Sequence, residues 1–306
     1  MKPLVSCYIL SYNHEKYIDE ALDGLFSQDY DNIEYLISDD NSTDNTWINI
    51  KKYLNINKNK LKNKNILLNK NDNNLGLMKH IEKVVLLTSG SILIGMPGDD
   101  ISFPNRTSCI VDFFKNNNAS MVFSNATIID TKRNEYGKLF IREMKSKSID
   151  NIINNGFVGL SGATKATKRD VYDKFGKIPL SIENEDDHLP FRAALLDGIG
   201  IIDKPLLYYR LHENSLSSWL WKKQSFREYL DRYIKNLDNR INHYIEWEKL
   251  IYKSNLSDQE ELVEKINIKI NKLKKEMRDS NTLYFKFRIY FNMQINILKQ
   301  YVKKYV

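Results

Sequence analysis

The 306-residue chain holds only two cysteines, Cys7 and Cys109, and five histidines. The cysteines lie far apart in sequence and the histidines fall into no zinc-ligand spacing, so a structural metal site of the Cys/His kind is excluded. Cys7 stands inside an apolar run and reads as a buried thiol. No stretch approaches the roughly 20 apolar residues of a membrane span. The opening MKPLVSCYILSYN turns polar too soon for a secretory signal, and a reducing cytosol is the expected compartment. No Gly-x-Gly-x-x-Gly follows the first apolar run, so dinucleotide binding loses its main support, and no P-loop motif occurs. The net charge of +7, from 46 Lys and Arg against 39 Asp and Glu, is a mild bias without a nucleic-acid signature. Hydrophobic residues at 42% and charged residues at 28% are ordinary for a globular protein. The length suits one large α/β domain with an extension, or two domains.

Two acidic stretches carry most of the information. Ile33–Thr46 reads IEYLISDDNSTDNT, and Met96-Pro97-Gly98-Asp99-Asp100 follows later. Each places a carboxylate pair directly after an apolar run, the pattern of a strand, a turn and a helix start. Carboxylates at the C-terminal ends of strands sit where open α/β sheets bind ligands. The first hundred residues alternate accordingly. Strands are expected at Val5–Leu10, Ile33–Ile37, the island Ile66–Leu68 and Ser91–Met96. Helices are expected at His14–Gln28, Asp44–Leu54 and Leu75–Thr88. Such alternation implies a mainly parallel sheet with flanking helices. Further on, a helix is expected from Pro104 to Asn117. Strands at Ser120–Asp130 and Lys138–Arg142 would flank a turn at Asn134–Gly137. A loop follows at Gly156–Gly162, then a helix over Asp186–Asp197 and a strand at Leu206–Leu211.

From Ser217 the chain reads as helical. Phe226, Tyr229, Tyr233, Leu237, Ile241 and Tyr244 recur at helical spacing, and Leu262, Ile266, Ile270, Leu273 and Met277 repeat the pattern. Ser257 and Glu260 have the spacing of a capping box. Residues 1–216 are read as the main domain and 217–306 as a helical extension. Leu283–Val306 combines five basic residues with seven aromatics and no acid. That composition suits peripheral contact with anionic lipid through 282–306, or packing in the core or in a homodimer.

The ordered set SYNHEKYIDEALDGLFSQ (Ser11–Gln28), SDDNSTDNT (Ser38–Thr46), NLG (Asn74–Gly76), SGSILIGMPGDDISFPNR (Ser89–Arg106), NEDDHLPFR (Asn184–Arg192) and YRLHENS (Tyr209–Ser215) resembles the family 2 inverting glycosyltransferases with the GT-A fold. The resemblance covers about residues 3–216. It implies a Rossmann-like α/β domain that takes a nucleotide-sugar donor, UDP-linked above all, together with Mn²⁺ or Mg²⁺. The acceptor it implies is a hydroxyl of a glycan or lipid-linked oligosaccharide in bacterial O-antigen or capsule synthesis. Tyr12 would pack on the nucleotide base and Asp40 would accept a base N–H, while Asp44 caps a helix. Asp99 would serve donor and metal, with Asp100 and His212 as further metal ligands and Arg210 on phosphate oxygens. Asp186, next to Glu185, aligns with the catalytic base. Two departures stand out. Pro97 occupies the place of the first motif Asp, and Ile81 stands where many relatives carry Arg, which leaves Lys79 or His80 for the phosphates. Acceptor choice would lie in Asn155–Lys168 and Glu183–His188. A nucleotidyltransferase and an inactive sugar-nucleotide-binding scaffold remain alternatives. The first lacks its Gly- and Arg-rich phosphate loop at Ser11–His14, and the second is disfavoured by the presence of Asp186.

Overall fold

The computed structural model describes residues 2–139, 148–156, 161–213, 215, 225–254, 256–280, 282, 285–286, 289–291 and 293. In chain order the elements are β1 (Val5–Ser11), α1 (Ile18–Phe26), β2 (Ile33–Asp39), α2 (Thr46–Ile56), α3 (Lys58–Leu61), β3 (Asn65–Lys70), α4 (Leu77–Leu87), β4 (Ile92–Pro97), β5 (Ile101–Ser102), α5 (Arg106–Asn116), β6 (Met121–Ile129) and β7 (Glu135–Leu139). They continue with α6 (Ile149–Asn155), a 3₁₀ turn (Gly162–Thr164), β8 (Lys165–Lys168), α7 (Asp170–Asp173), α8 (Glu185–Ala194), β9 (Ile199–Arg210), α9 (Phe226–Lys253) and α10 (Gln259–Asp279).

One sheet runs in the order β3-β2-β1-β4-β8-β6-β9-β5, with β7 added to β6. Its first four strands are parallel. β1 and β2 are almost wholly buried, as continuous apolar runs in a covered parallel sheet must be. β3 forms the edge, and its Asn and Lys residues leave that edge unattractive for pairing. Register brings Ser11 beside Asp39 and Leu10 beside Pro97, so the ends of β1, β2 and β4 make one rim. Beyond β4, β8 runs antiparallel to both β4 and β6, and β9 runs parallel to β6.

Several local expectations shift. The turn placed at Asn134–Gly137 falls instead at Asp130–Asn134, because the Asp130 carboxylate accepts the Lys132 and Asn134 amides, and β7 therefore starts at Glu135. The end of the strand expected at Lys138–Arg142 lies outside the described residues, as does most of the loop Gly156–Gly162. The capping box forms at Ser225 and Glu228 at the start of α9. α10 instead begins after Asp258, which makes no side-chain cap. β5, β8 and α6 had no expectation.

The 217–306 boundary lies outside the described residues. Past it, α9 packs on α8 within the same apolar cluster. Trp247 is fully buried and stacks on Phe191 at 4.5 Å with ring planes 9° apart. The Tyr244 hydroxyl donates to the Ile153 carbonyl at 2.5 Å. No helix among the described residues is long and apolar enough to cross a membrane.

Candidate active site

The rim begins with two interlocked loops. Asn13 and Asn41 both take the left-handed backbone conformation, which asparagine tolerates. The Asn13 amide donates to Ser42 Oγ, and Asn13 Oδ1 accepts the Thr43 amide. The Asp44 carboxylate accepts the Glu15 and Thr46 amides and so acts as the expected helix-start acid. Burial alone would raise its pKa, but these bonds and nearby His14 hold it below the ordinary value. Tyr12 stands 42% exposed on top of this knot, an open aromatic face at the end of β1.

Asp39 and Asp40 divide the work. Asp39 is fully buried and accepts Ser11 Oγ, Ser42 N and Ser42 Oγ. Asp40 is also buried and gathers the β3–α4 loop: Oδ1 accepts Asn71 Nδ2 at 2.7 Å and the Leu75 amide at 2.9 Å, and Oδ2 accepts the Gly76 amide at 2.9 Å. His80 is buried against Ser38 Oγ at 2.6 Å, and Ile81 lies in the core. Of the two expected phosphate substitutes, Lys79 remains at the mouth of a cleft between α4 and residues 178–183.

At the end of β4, Asp99 Oδ2 lies 2.8 Å from His212 Nε2 and 3.9 Å from His14 Nε2. Burial pushes this carboxyl up, but the His212 hydrogen bond and the two imidazoles outweigh it, and Asp99 is held below the ordinary carboxylate value. His14 fits because residue 98 is glycine: a Cβ there would lie 2.6 Å from His14 Nδ1. Asp100 is engaged elsewhere. Its Oδ1 accepts the Arg210 amide at 2.8 Å, while Oδ2 is sealed without a partner among the described residues. Burial first, then the neighbouring Asp99, raises its pKa well above the ordinary value.

Arg210 is fully buried, and its guanidinium donates to the Asp99 carbonyl, the Asp130 carbonyl and Glu20 Oε2. It also lies over the Tyr17 ring, which in turn contacts His212. These bonds fasten the Asp99–Asp100 turn to α1 and β9. The structure thus brings Asp99, Asp100, Arg210 and His212 together, although they are separated by more than a hundred positions.

Glu185, Asp186 and Asp187 sit in the first turn of α8. Glu185 is buried and paired with the ammonium of Lys165 at the start of β8. Asp186 is half-buried, with its Oδ1 sealed and unpartnered among the described residues. Its pKa is pushed up to about 7, chiefly by burial and then by the Glu185 charge; Lys165 and the Gly162 amide pull the other way. Gly162 is required here, since a Cβ on it would come within 2.2 Å of Asp186 Oδ1. Arg106, fully buried, ties the two sides together: one nitrogen donates to the carbonyls of Gly95 on β4 and Ala163 beside β8. His14, Glu20, Arg106 and Lys165 are site residues without a role in the sequence reading. His14, Glu20 and Arg106 all lie inside recognised segments. Lys165 carries no local signal, because its partner is brought by the antiparallel β8.

A mixed α/β sheet with a parallel first half, acidic turns on one rim and a second acidic helix start facing β8 is the GT-A type of architecture. The chain belongs to Glycosyl transferase family 2, whose model matches residues 6–176. It is 31% identical over 115 residues to an uncharacterised glycosyltransferase of Haemophilus influenzae, covering 38% of this chain and 34% of that one. It is 24% identical over 222 residues to the Escherichia coli UDP-Glc:α-D-GlcNAc-diphosphoundecaprenol β-1,3-glucosyltransferase WfgD, covering 72% and 82%. The matches to the first curated relatives span only 34–39% of their length. Among solved structures, S. aureus TarS in complex with UDP-GlcNAc superposes with a TM-score of 0.61 at 17% identity, covering 91% of this chain and 73% of that one.

Proposed function

We propose that this chain is an inverting glycosyltransferase. It moves a sugar from a nucleotide donor, a UDP-sugar, to a hydroxyl of a glycan or lipid-linked acceptor in bacterial surface polysaccharide assembly. The observation that carries this reading is geometric: Asp99 meets His212 at the β4 end of the rim, and Asp186 begins α8 with its Oδ1 sealed and unpartnered among the described residues. Asp99 is held ionised by His212, while Asp186 is raised to about 7 beside Gly162. Carboxyls pushed apart in this way suit different work, a charged Asp99 for a cation and Asp186 for proton exchange. Asp186 takes the proton of the acceptor hydroxyl as that oxygen bonds to the anomeric carbon and the nucleoside diphosphate departs. Tyr12 packs on the base, and Asp40 shapes the loop beside it while offering its remaining lone pair to a base N–H. The names of WfgD and of the TarS complex support a UDP-sugar donor and a lipid-linked acceptor.

Among the described residues no group of three or more His, Cys, Asp or Glu is arranged to hold a metal ion. Asp99 and His212 nonetheless fit a smaller role. Mg²⁺ and similar cations are commonly bound through one or two protein groups, with substrate phosphates completing the shell. Asp99 and His212 would hold Mn²⁺ or Mg²⁺, which supplies Lewis-acid stabilisation of the leaving diphosphate. On this reading Asp100 and Arg210 act by fixing the turn that presents Asp99.

The basic, aromatic segment 282–306 would bring the enzyme to the cytoplasmic face of the plasma membrane. Phe285, Ile289 and Met293 are buried in the protein, and Tyr290 and Phe291 remain 45% and 62% exposed. Sedimentation with anionic vesicles should fall on replacing Tyr290 and Phe291 by Ser; equal, negligible binding by both proteins removes the membrane role. The function itself is tested with a panel of nucleotide sugars. Nucleoside diphosphate release should require a divalent cation, and NMR should show the inverted anomer. Retention of configuration, or release of pyrophosphate, would overturn the assignment.

A further inference from the structure

Lys165 is the only lysine among the described residues that is buried, with 5% of its surface exposed. Burying an ammonium is costly unless it is paired in good geometry. Its partner is Glu185, and the pair lies beside Asp186. The backbone around Lys165 is fixed independently: β8 is bonded to β4 and β6, and Arg106 grips the carbonyls of Ala163 and Lys165. The ammonium therefore cannot drift from the first turn of α8. One cation thus serves two carboxyls, the buried Glu185 and the half-buried Asp186, and contact with Glu185 commits it. Asp186 is left with the unbalanced charge at the place where Gly162 opens room for its oxygen.

We propose that Lys165 is a positioning residue for the base, holding Glu185 against β8 so that Asp186 alone is free to exchange its proton with the acceptor hydroxyl. This rests on the reading of Asp186 as the base. Other charged or titratable neighbours are Asp187 on α8 and, around the Lys165–Glu185 pair, Tyr8 on β1 and Tyr172 on α7. Arg106 of α5 acts on Tyr8, and Arg169 and Arg192 act on Tyr172, but the cation paired with Glu185 and acting on Asp186 is Lys165.

The test follows the Asp186 carboxyl by ¹³C NMR titration in the full chain, beside the pH profile of kcat. Lys165→Met removes the cation and should move the Asp186 titration and the acid limb of kcat up by about one pH unit. Glu185→Gln removes the competing anion and should move both down. The double variant should return close to wild type. Lys165→Gln keeps a donor for Glu185 and should shift upward as well, which preserves the test if the methionine variant does not fold. An unmoved Asp186 titration in the lysine variants, or shifts of one sign in both the Lys165 and Glu185 variants, overturns the proposal. A moved titration with turnover indifferent to Asp186→Asn overturns the base assignment instead.

Discussion

At the scale of single residues, the site is a set of carboxylates made unequal by their surroundings. Asp40 accepts three N–H groups from one loop, so its replacement loosens the β3–α4 loop as well as removing a charged acceptor from the proposed donor site. Asp40→Ala should weaken nucleotide affinity by about 1.5–3 kcal/mol; unchanged affinity by calorimetry would remove Asp40 from the donor site. Gly162→Ala should lower turnover while leaving nucleotide affinity intact, since the new methyl meets Asp186 and lies across β8 from the donor rim. The placement of Tyr12, Asp40 and Asp99 just past strand ends and of Asp186 at a helix start was legible in sequence. What each carboxylate does was not. That Asp100 serves the Arg210 amide, and that Arg210 is spent on carbonyls and Glu20, depends on a contact between the β4–β5 turn and β9 across 110 positions. No local pattern encodes it.

At the scale of elements, the continuous apolar runs of β1, β2 and β4 and the amphipathic α1 and α4 were readable, with ends displaced by a few residues. β8 was missed because Lys165–Lys168 has no apolar alternation; it is a strand because β4 and β6 offer it hydrogen bonds on both sides. The junction of α8 with α9 carries much of the core. Trp247→Ala should cost about 3–5 kcal/mol, read by urea unfolding. The same junction buries His188 and His243, whose rings lie 6.2 Å apart. Burial lowers His243 to about 4, and burial with the charge of Arg192 lowers His188 well below its ordinary value. Unfolding lets these rings take up protons that the folded state refuses. Stability should therefore be complete above about pH 6.5 and fall as pH drops toward 4. His243→Leu should flatten that fall. A urea midpoint independent of pH over this range, in the wild type, would show that the rings are not buried neutral.

At the scale of the whole molecule, family membership and the GT-A architecture were legible because the motifs come in order and each lies at a structural junction. The packing of the C-terminal helices was only half legible. Their stripes announced a buried face without naming its partner, which proves to be α8 and α6. The functional account joins a donor rim on β1, β2 and β4 to a base on α8 through Arg106 and β8. Its most direct test is the turnover of Asp186→Asn on the preferred nucleotide sugar, measured as nucleoside diphosphate release beside nucleotide affinity. The account predicts a loss in kcat of about 10²–10⁴ with affinity unchanged. Wild-type turnover by Asp186→Asn, with activity abolished instead by Glu185→Gln or Asp187→Asn, would contradict it.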